Sequence, residues 1–291
     1  MEKLTQTHIL YEYYLELLKN PRLSWREFHR KYSPYRALNS TNALIHRGFN
    51  DEIITKPFIY CNYGLYLSIF DNIDNPLKLL EEKEKNSKIT YAMALCGDQS
   101  FISVSTEKIG DPINYAEIIT PLYPSNKYGE WDALETEGKL NSDDTPDWDE
   151  MDWRVFHAMR NPMRSFFEAG KEIETSWMTI KRHFERILGD CKVMTGFFPN
   201  CFFSYDRIIM TFKTKFEIGL RNELLKFDRS SYFWKFKDKI LLCLFLDKCN
   251  GICKKYKEME EIGIINDLNV SIPIKYHSLL SWDSGTRSVS S

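Results

Sequence analysis

The run Ser176-Trp-Met-Thr-Ile180-Lys-Arg-His-Phe184-Glu-Arg-Ile187-Leu188 places four basic side chains within six residues. Ile180, Phe184, Ile187 and Leu188 share one side of a helix, and Lys181, Arg182, His183 and Arg186 point elsewhere. Cations of this kind neutralise phosphates. Ser176, Trp177 and Thr179, at the start of the same helix, are types that reach base edges or phosphate oxygens. The first half holds a weaker version, residues 38–47, with Ser40, Thr41, Asn42, His46 and Arg47. Arg22, Arg26, Arg30, Lys31 and Arg36 predict a basic surface that holds phosphates without reading sequence. The alternative for both helices is an ordinary solvated or packing face.

Enzyme chemistry has less to work with. The histidines at 8, 29, 46, 157, 183 and 277 show no metal-ligand spacing. Glycine-rich phosphate loops, G-x-S-x-G and H-E-x-x-H are missing. Seven cysteines, at 61, 96, 191, 201, 243, 249 and 253, do not read as a disulfide framework. Cys249 and Cys253 lack the second ligand pair of a zinc site. The expectation is no enzyme, no cofactor, no metal, and thiols held in a reducing cytoplasm.

The net charge of −2, taken alone, disfavours a nucleic-acid partner. Its distribution reverses that. Residues 130–152 hold ten carboxylates and one lysine; without them 38 basic residues face 31 acidic ones, about +7. The acidic stretch reads as a linker, residues 124–145. Thr145 is expected to cap a helix beginning at Pro146. No apolar run is long enough to span a bilayer and no signal-peptide pattern opens the chain, so a soluble cytoplasmic protein is expected.

The halves repeat. Asn20-Pro-Arg-Leu-Ser-Trp-Arg-Glu27 returns as Asn161-Pro-Met-Arg-Ser-Phe-Phe-Glu168, and Ile53-Ile-Thr55 as Val193-Met-Thr195. Ile118-Ile-Thr-Pro-Leu122 returns as Val270-Ser-Ile-Pro-Ile274. The offset grows from about 140 to 152, which places an insertion in the last helix of the second copy. Each copy is expected to begin with three helices, the first (8–19 in copy one) ended by an Asn-Pro break and the second capped by Ser24 or Ser165, and a two-stranded wing, at 52–55 with 58–60 and at 192–195 with 197–199. A β-α-β-β-α-β series should follow, with central strands at 88–95 and 100–105 and a second helix at 110–116 in the first copy, and central strands at 230–236 and 239–246 in the second. The fold class expected is therefore α+β, with two tandem units of winged helix-turn-helix plus ferredoxin-like domain. The boundaries are 1–61, 62–123, the linker, 146–201, 202–277 and a tail at 278–291.

This order resembles the Lrp/AsnC, or feast/famine, regulators. The resemblance rests on residues 176–188 followed by Val193-Met-Thr-Gly196, and on Ala94-Leu-Cys-Gly97-Asp98, which is similar to the Gly-Asp turn of that family's effector domain. It implies a DNA-binding transcriptional regulator, here a covalent pseudo-dimer that could pair again as a homodimer. Double-stranded DNA is the implied partner, and a small-molecule effector would sit near Gly97 and Asp98. The second copy has Phe236-Lys-Asp-Lys239 at the turn, without glycine. Two other readings stand beside it: a siroheme-decarboxylase-like enzyme of related architecture, and an interaction scaffold with vestigial DNA-binding domains.

Overall fold

The computed structural model describes residues 5–33, 35–125, 136–248 and 251–278. The elements are α1 (Gln6–Lys19), α2 (Trp25–Tyr32), α3 (Leu38–Asn50), β1 (Phe58–Tyr60), β2 (Tyr66–Phe70), α4 (Pro76–Lys83), β3 (Ile89–Gly97), β4 (Phe101–Ser105) and β5 (Asp111–Ile119). The second half adds α5 (Glu150–Ala158), α6 (Phe166–Glu172), α7 (Trp177–Leu188), β6 (Lys192–Met194), β7 (Asp206–Thr214), α8 (Glu217–Leu224), β8 (Ser231–Phe236), β9 (Lys239–Leu246), α9 (Ile252–Glu261) and β10 (Ile265–Ser278). They form two compact units. Of the described residues, the first takes 5–33, 35–61, 122–125 and 144–203; the second takes 62–121, 136–143, 204–248 and 251–278. Both halves of the chain contribute to each unit.

In the first unit α1, α2 and α7 start on side-chain caps. Thr5 accepts from the His8 N–H, Ser24 from that of Glu27 and Ser176 from that of Thr179. The fourth start moves. The helix expected from Pro146 begins at Glu150, because Asp149 and Asp152 form a reciprocal capping box. The core joins Ile9, Leu10, Tyr13, Tyr14 and Leu17 of α1 to Phe28, Leu44 and Ile45, and Phe197 from the second half completes it.

Neither expected wing forms. Each half supplies one short strand, and the two pair with each other: Phe58 opposite Met194, Ile59 opposite Val193, Tyr60 opposite Lys192. An isolated bridge joins Ile54 to Phe197. A three-residue strand with no hairpin partner in its own half meets its hydrogen-bond demand across the repeat.

The second unit overturns the expected pair of ferredoxin-like domains. Eight strands close into one antiparallel barrel in the order β10-β3-β4-β2-β5-β8-β9-β7. The cause lies in two long strands. β5 pairs with β2 only through Pro112 and Asp111, then runs along β8 from Ile113 to Ile119. β10 pairs with β7 from Ile265 to Ser271, then with β3 from Ser271 to Ser278. Each strand leaves its own quartet for the other, with a register shift at 113/115 or 273/275. The helix expected over 110–116 is therefore strand. The helix α9 has no counterpart before β5, which accounts for the growing repeat offset.

Strand alternation divides the barrel wall. Ile240, Leu242, Leu244 and Leu246 of β9 and Ile208, Met210 and Phe212 of β7 lie outward under α8 and α9, with Leu220, Leu224, Tyr256 and Met259. Leu241, Cys243, Phe245, Ile209 and Thr211 take the opposite face and are buried too. A closed barrel makes this possible, since its interior is the second apolar environment.

The acidic stretch is partly tied to the barrel. Residues 126–135 lie outside the described residues, but 136–143 form a strap. Gly138 N–H donates to the Lys215 carbonyl, and the N–H groups of Ile218 and Gly219 donate to Gly138 and Thr136. Leu140 N–H donates to Glu217 Oε2 at 2.7 Å, and Lys235 Nζ donates to that oxygen at 2.7 Å and to the Leu140 carbonyl at 2.9 Å. Glu217 and Lys235 are 1% and 7% exposed. Each ion compensates the other's lost hydration. Glu217→Gln leaves the Lys235 ammonium buried without its counter-ion, and should lower unfolding free energy by about 3–5 kcal/mol. Urea unfolding of the variant, with Lys235→Met/Glu217→Leu recovering most of the loss, checks this.

Candidate nucleic-acid interface

The first unit is held together by contacts between repeat-equivalent residues. Thr55 N–H donates to the Gly196 carbonyl at 2.9 Å, Gly196 N–H to Thr55 Oγ1 at 2.7 Å, and Thr195 Oγ1 to the Thr55 carbonyl at 2.5 Å. The threonines that end the matching tripeptides thus meet at the joint. Arg22 crosses the same divide. Its Nη1 donates to the carbonyls of Pro162 and, at 2.8 Å, Arg164, and its guanidinium lies 3.9 Å from the Phe166 ring centroid. Burial lowers its pKa below the usual arginine value. Arg22, expected as a phosphate contact, is a tie between the two halves in the structure.

α7 buries Ile180, Phe184 and Ile187, as its periodicity predicts. Its four basic residues divide. Lys181 and Arg182 are exposed, and Lys181 stands 3.7 Å from Glu185 in a solvated pair that contributes little. His183 turns inward. Its Nδ1 lies 2.7 Å from Asp152 Oδ1, and its side chain is 11% exposed. Arg186 Nε donates to the same oxygen at 3.0 Å, and its Nη2 donates to Asp149 Oδ2 at 2.8 Å. Asp152 is 1% exposed, so its charge needs partners. His183 and Arg186 supply them.

Asp149, Asp152 and His183 also bring ligand-type atoms within 4.8 Å of one another. The Arg186 guanidinium already rests on both carboxylates and provides the positive charge that a cation would bring. The cluster joins α5 to α7. The acidic composition of 130–152 masked it, although the capping-box spacing of Asp149 and Asp152 is visible in sequence.

The start of α7 is apolar as well as polar. Trp177 is 49% exposed, Met178 62% and Phe167 58%. Ser176 is exposed and Thr179 half-buried, and the Ser176 hydroxyl caps the helix by accepting from the Thr179 N–H at 3.1 Å. Trp177 and Phe167 border an open depression of about 480 Å³ with Lys171, Glu174 and Thr175. Lys171 Nζ sits 4.5 Å from the Phe167 ring centroid.

α3 presents the more uniform face. Thr41 is fully buried, with its hydroxyl 2.7 Å from His29 Nδ1 and 2.6 Å from Ser33 Oγ, so it braces α2 against α3 and is unavailable to DNA. Asn42 is half-buried. Asn39, Ser40, Ala43, His46, Arg47 and Asn50 are exposed. Arg47 reaches the neutral Gln6 side chain, and no carboxylate pairs with it among the described residues. Arg26, Arg30, Lys31 and Arg36 are exposed as well, with Lys31 3.5 Å from Glu27 and Arg26 over the Trp25 ring.

Gly97 and Asp98 belong to the second unit, where their contacts are structural. Gly97 has φ +139°, and a Cβ there would meet the Val270 carbonyl at 2.5 Å. Asp98 N–H donates to the Val270 carbonyl, and Asp98 Oδ2 accepts from the Val270 N–H at 2.8 Å. Gln99 continues the dock, N–H to Ser271 Oγ at 2.9 Å and Nε2 to Thr211 Oγ1 at 2.8 Å. The turn proposed for effector binding anchors β10.

Comparison with protein-family models, curated proteins and solved structures returns no match. Among the described residues no helix is long and apolar enough to cross a membrane.

Arg22→Ala separates tie from phosphate contact. It should destabilise the protein by about 2 kcal/mol in urea unfolding, through lost charge-assisted hydrogen bonds and the ring contact. The salt dependence of any DNA binding should stay unchanged. A phosphate contact would give the converse, a shallower salt slope at parental stability.

Proposed function

We propose that the first unit binds duplex DNA, chiefly through the exposed face of α3 and its basic surroundings, and that the protein acts in transcription through this contact. One observation carries the reading. Residues 28–50 contain no carboxylate, yet include Arg30, Lys31, Arg36, His46 and Arg47. The residues α3 exposes are small, polar or cationic. A helix that avoids negative charge over its whole outer face, in a chain with 41 acidic residues, suits a polyanion. Lys181 and Arg182 on α7 add a second cationic point, with Trp177 beside them. Asn39, Ser40 and Asn50 are types that bond base edges, and the arginines and lysines hold phosphates.

Phosphate contacts release counterions, so binding should weaken steeply as salt rises. Fluorescence anisotropy with random-sequence duplexes at a series of salt concentrations tests this. Arg36→Ala/Arg47→Ala should reduce the slope of log K against log salt by about 2. Lys181→Ala/Arg182→Ala should reduce it by a similar or smaller amount. Absence of duplex retention by the parent protein at low salt overturns the reading.

A further inference from the structure

Cys61 and Cys191 flank the only strand pair that joins the two halves within the described residues of the first unit. Tyr60 stands opposite Lys192 in the antiparallel ladder, so the next positions outward are Cys61 and Cys191. The type of this position follows from one bond. Ile59 N–H donates to the Arg160 carbonyl at 2.9 Å, away from β6, so Ile59 and Val193 form a non-hydrogen-bonded pair. Ladder positions alternate, which makes Phe58 and Tyr60 the hydrogen-bonded pairs and Cys61 opposite Cys191 non-hydrogen-bonded again. At such sites the Cα atoms approach to about 4.5 Å and the side chains lie closer than elsewhere in the sheet. That separation is within the range a disulfide spans. Both thiols are free, Cys61 buried and Cys191 half-buried. Cys191 is therefore the more accessible of the two.

We propose that Cys61 and Cys191 are a redox site: a peroxide oxidises them to a reversible disulfide that staples the two halves of the first unit. Cys191, as thiolate, attacks the peroxide O–O bond; its sulfur becomes a sulfenic acid and the leaving oxygen departs as water or alcohol. The Cys61 sulfur then attacks the sulfenic sulfur, the S–S bond forms, and hydroxide leaves with the Cys61 proton as a second water. Two thiols lose two electrons and two protons to one peroxide.

The pair is tuned against fast reaction. The Cys191 thiol is pushed above the usual thiol range, first by its hydrogen bond with Cys61, then by burial and by the Asp190 charge. A raised pKa leaves little thiolate near neutrality, so oxidation should be slow at pH 7 and accelerate as pH rises. The bridge closes a long loop between the halves, the geometry in which a crosslink most restricts the unfolded chain.

The test treats the full protein with hydrogen peroxide at pH 7 and pH 9, quenches in acid, alkylates in denaturant and maps peptides by mass. The expected result is a peptide pair joined through Cys61 and Cys191, formed several-fold faster at pH 9 and reversed by dithiothreitol. The melting temperature should rise by about 5 °C on oxidation and fall back on reduction. Cys61→Ser should abolish the joined peptide and the temperature shift, leaving oxidation arrested on Cys191. Full alkylation of both residues after peroxide, or a link from either one to another cysteine, overturns the proposal.

Discussion

Everything in the second unit depends on two strands that outgrow their own quartets. A strand must find hydrogen-bond partners along its whole length, and neither β5 nor β10 finds them at home. Both quartets have the same internal order, with the second, third, first and fourth strands adjacent in that sequence. Each fourth strand begins beside its own first strand and finishes on the other quartet's second strand. The exchange happens twice, so no edge is left open and the barrel closes. Closure makes β7 and β9 apolar on both faces, since one face meets helices and the other the barrel interior. It also fixes the β3–β4 turn, because Gly97, Asp98 and Gln99 must dock on the β10 segment that passes beneath them.

The same logic operates at smaller scale in the first unit. β1 and β6 are too short to form wings, and they satisfy each other. Arg22 gives its hydrogen bonds to backbone carbonyls of the other half, where burial makes a charge-assisted bond stronger than it would be in water. The exchange of contacts between halves has two chemical forms here, a β-ladder and a guanidinium clamp. Both involve segments that the repeat comparison aligns. Residue 55 meets residues 195 and 196, and residue 22 meets residues 162 and 164.

Local structure was legible and long-range pairing was not. Helical periodicity, the Asn-Pro breaks and the serine caps place α1, α2, α3, α6 and α7 within a few residues. Strand composition places β3, β4, β8 and β9. These signals act over three or four residues. Asp111-Pro-Ile-Asn-Tyr-Ala-Glu117 resembles a helix start by the same local rules, with an acidic residue followed by proline. Its pairing with β8, more than a hundred residues away, decides otherwise. The site divides in the same way. Lys181, Arg182, Ser40, His46 and Arg47 are exposed as their helical positions imply. Thr41, Arg22, His183 and Arg186 carry the right chemistry, but each is committed to a partner that helical spacing alone cannot show.

Those commitments reshape the electrostatics of the first unit. Asp149 and Asp152 close the acidic stretch, within the helix expected from Pro146; they cap α5, draw His183 inward and offset the charge of Arg186, whose side chain stays exposed. With Glu185 beside Lys181, α7 presents a diluted cationic face mixed with Trp177 and Met178. α3 has no such carboxylates and keeps its polarity outward. The ranking that periodicity suggests is thereby inverted: the helix with the denser basic cluster in sequence has the weaker free charge in the fold. Tandem copies make this division of labour accessible. One copy can commit its cations to joining α5 and α7 while the other keeps its outer face suited to a polyanion, because the shared core and the β1–β6 ladder hold both in one unit.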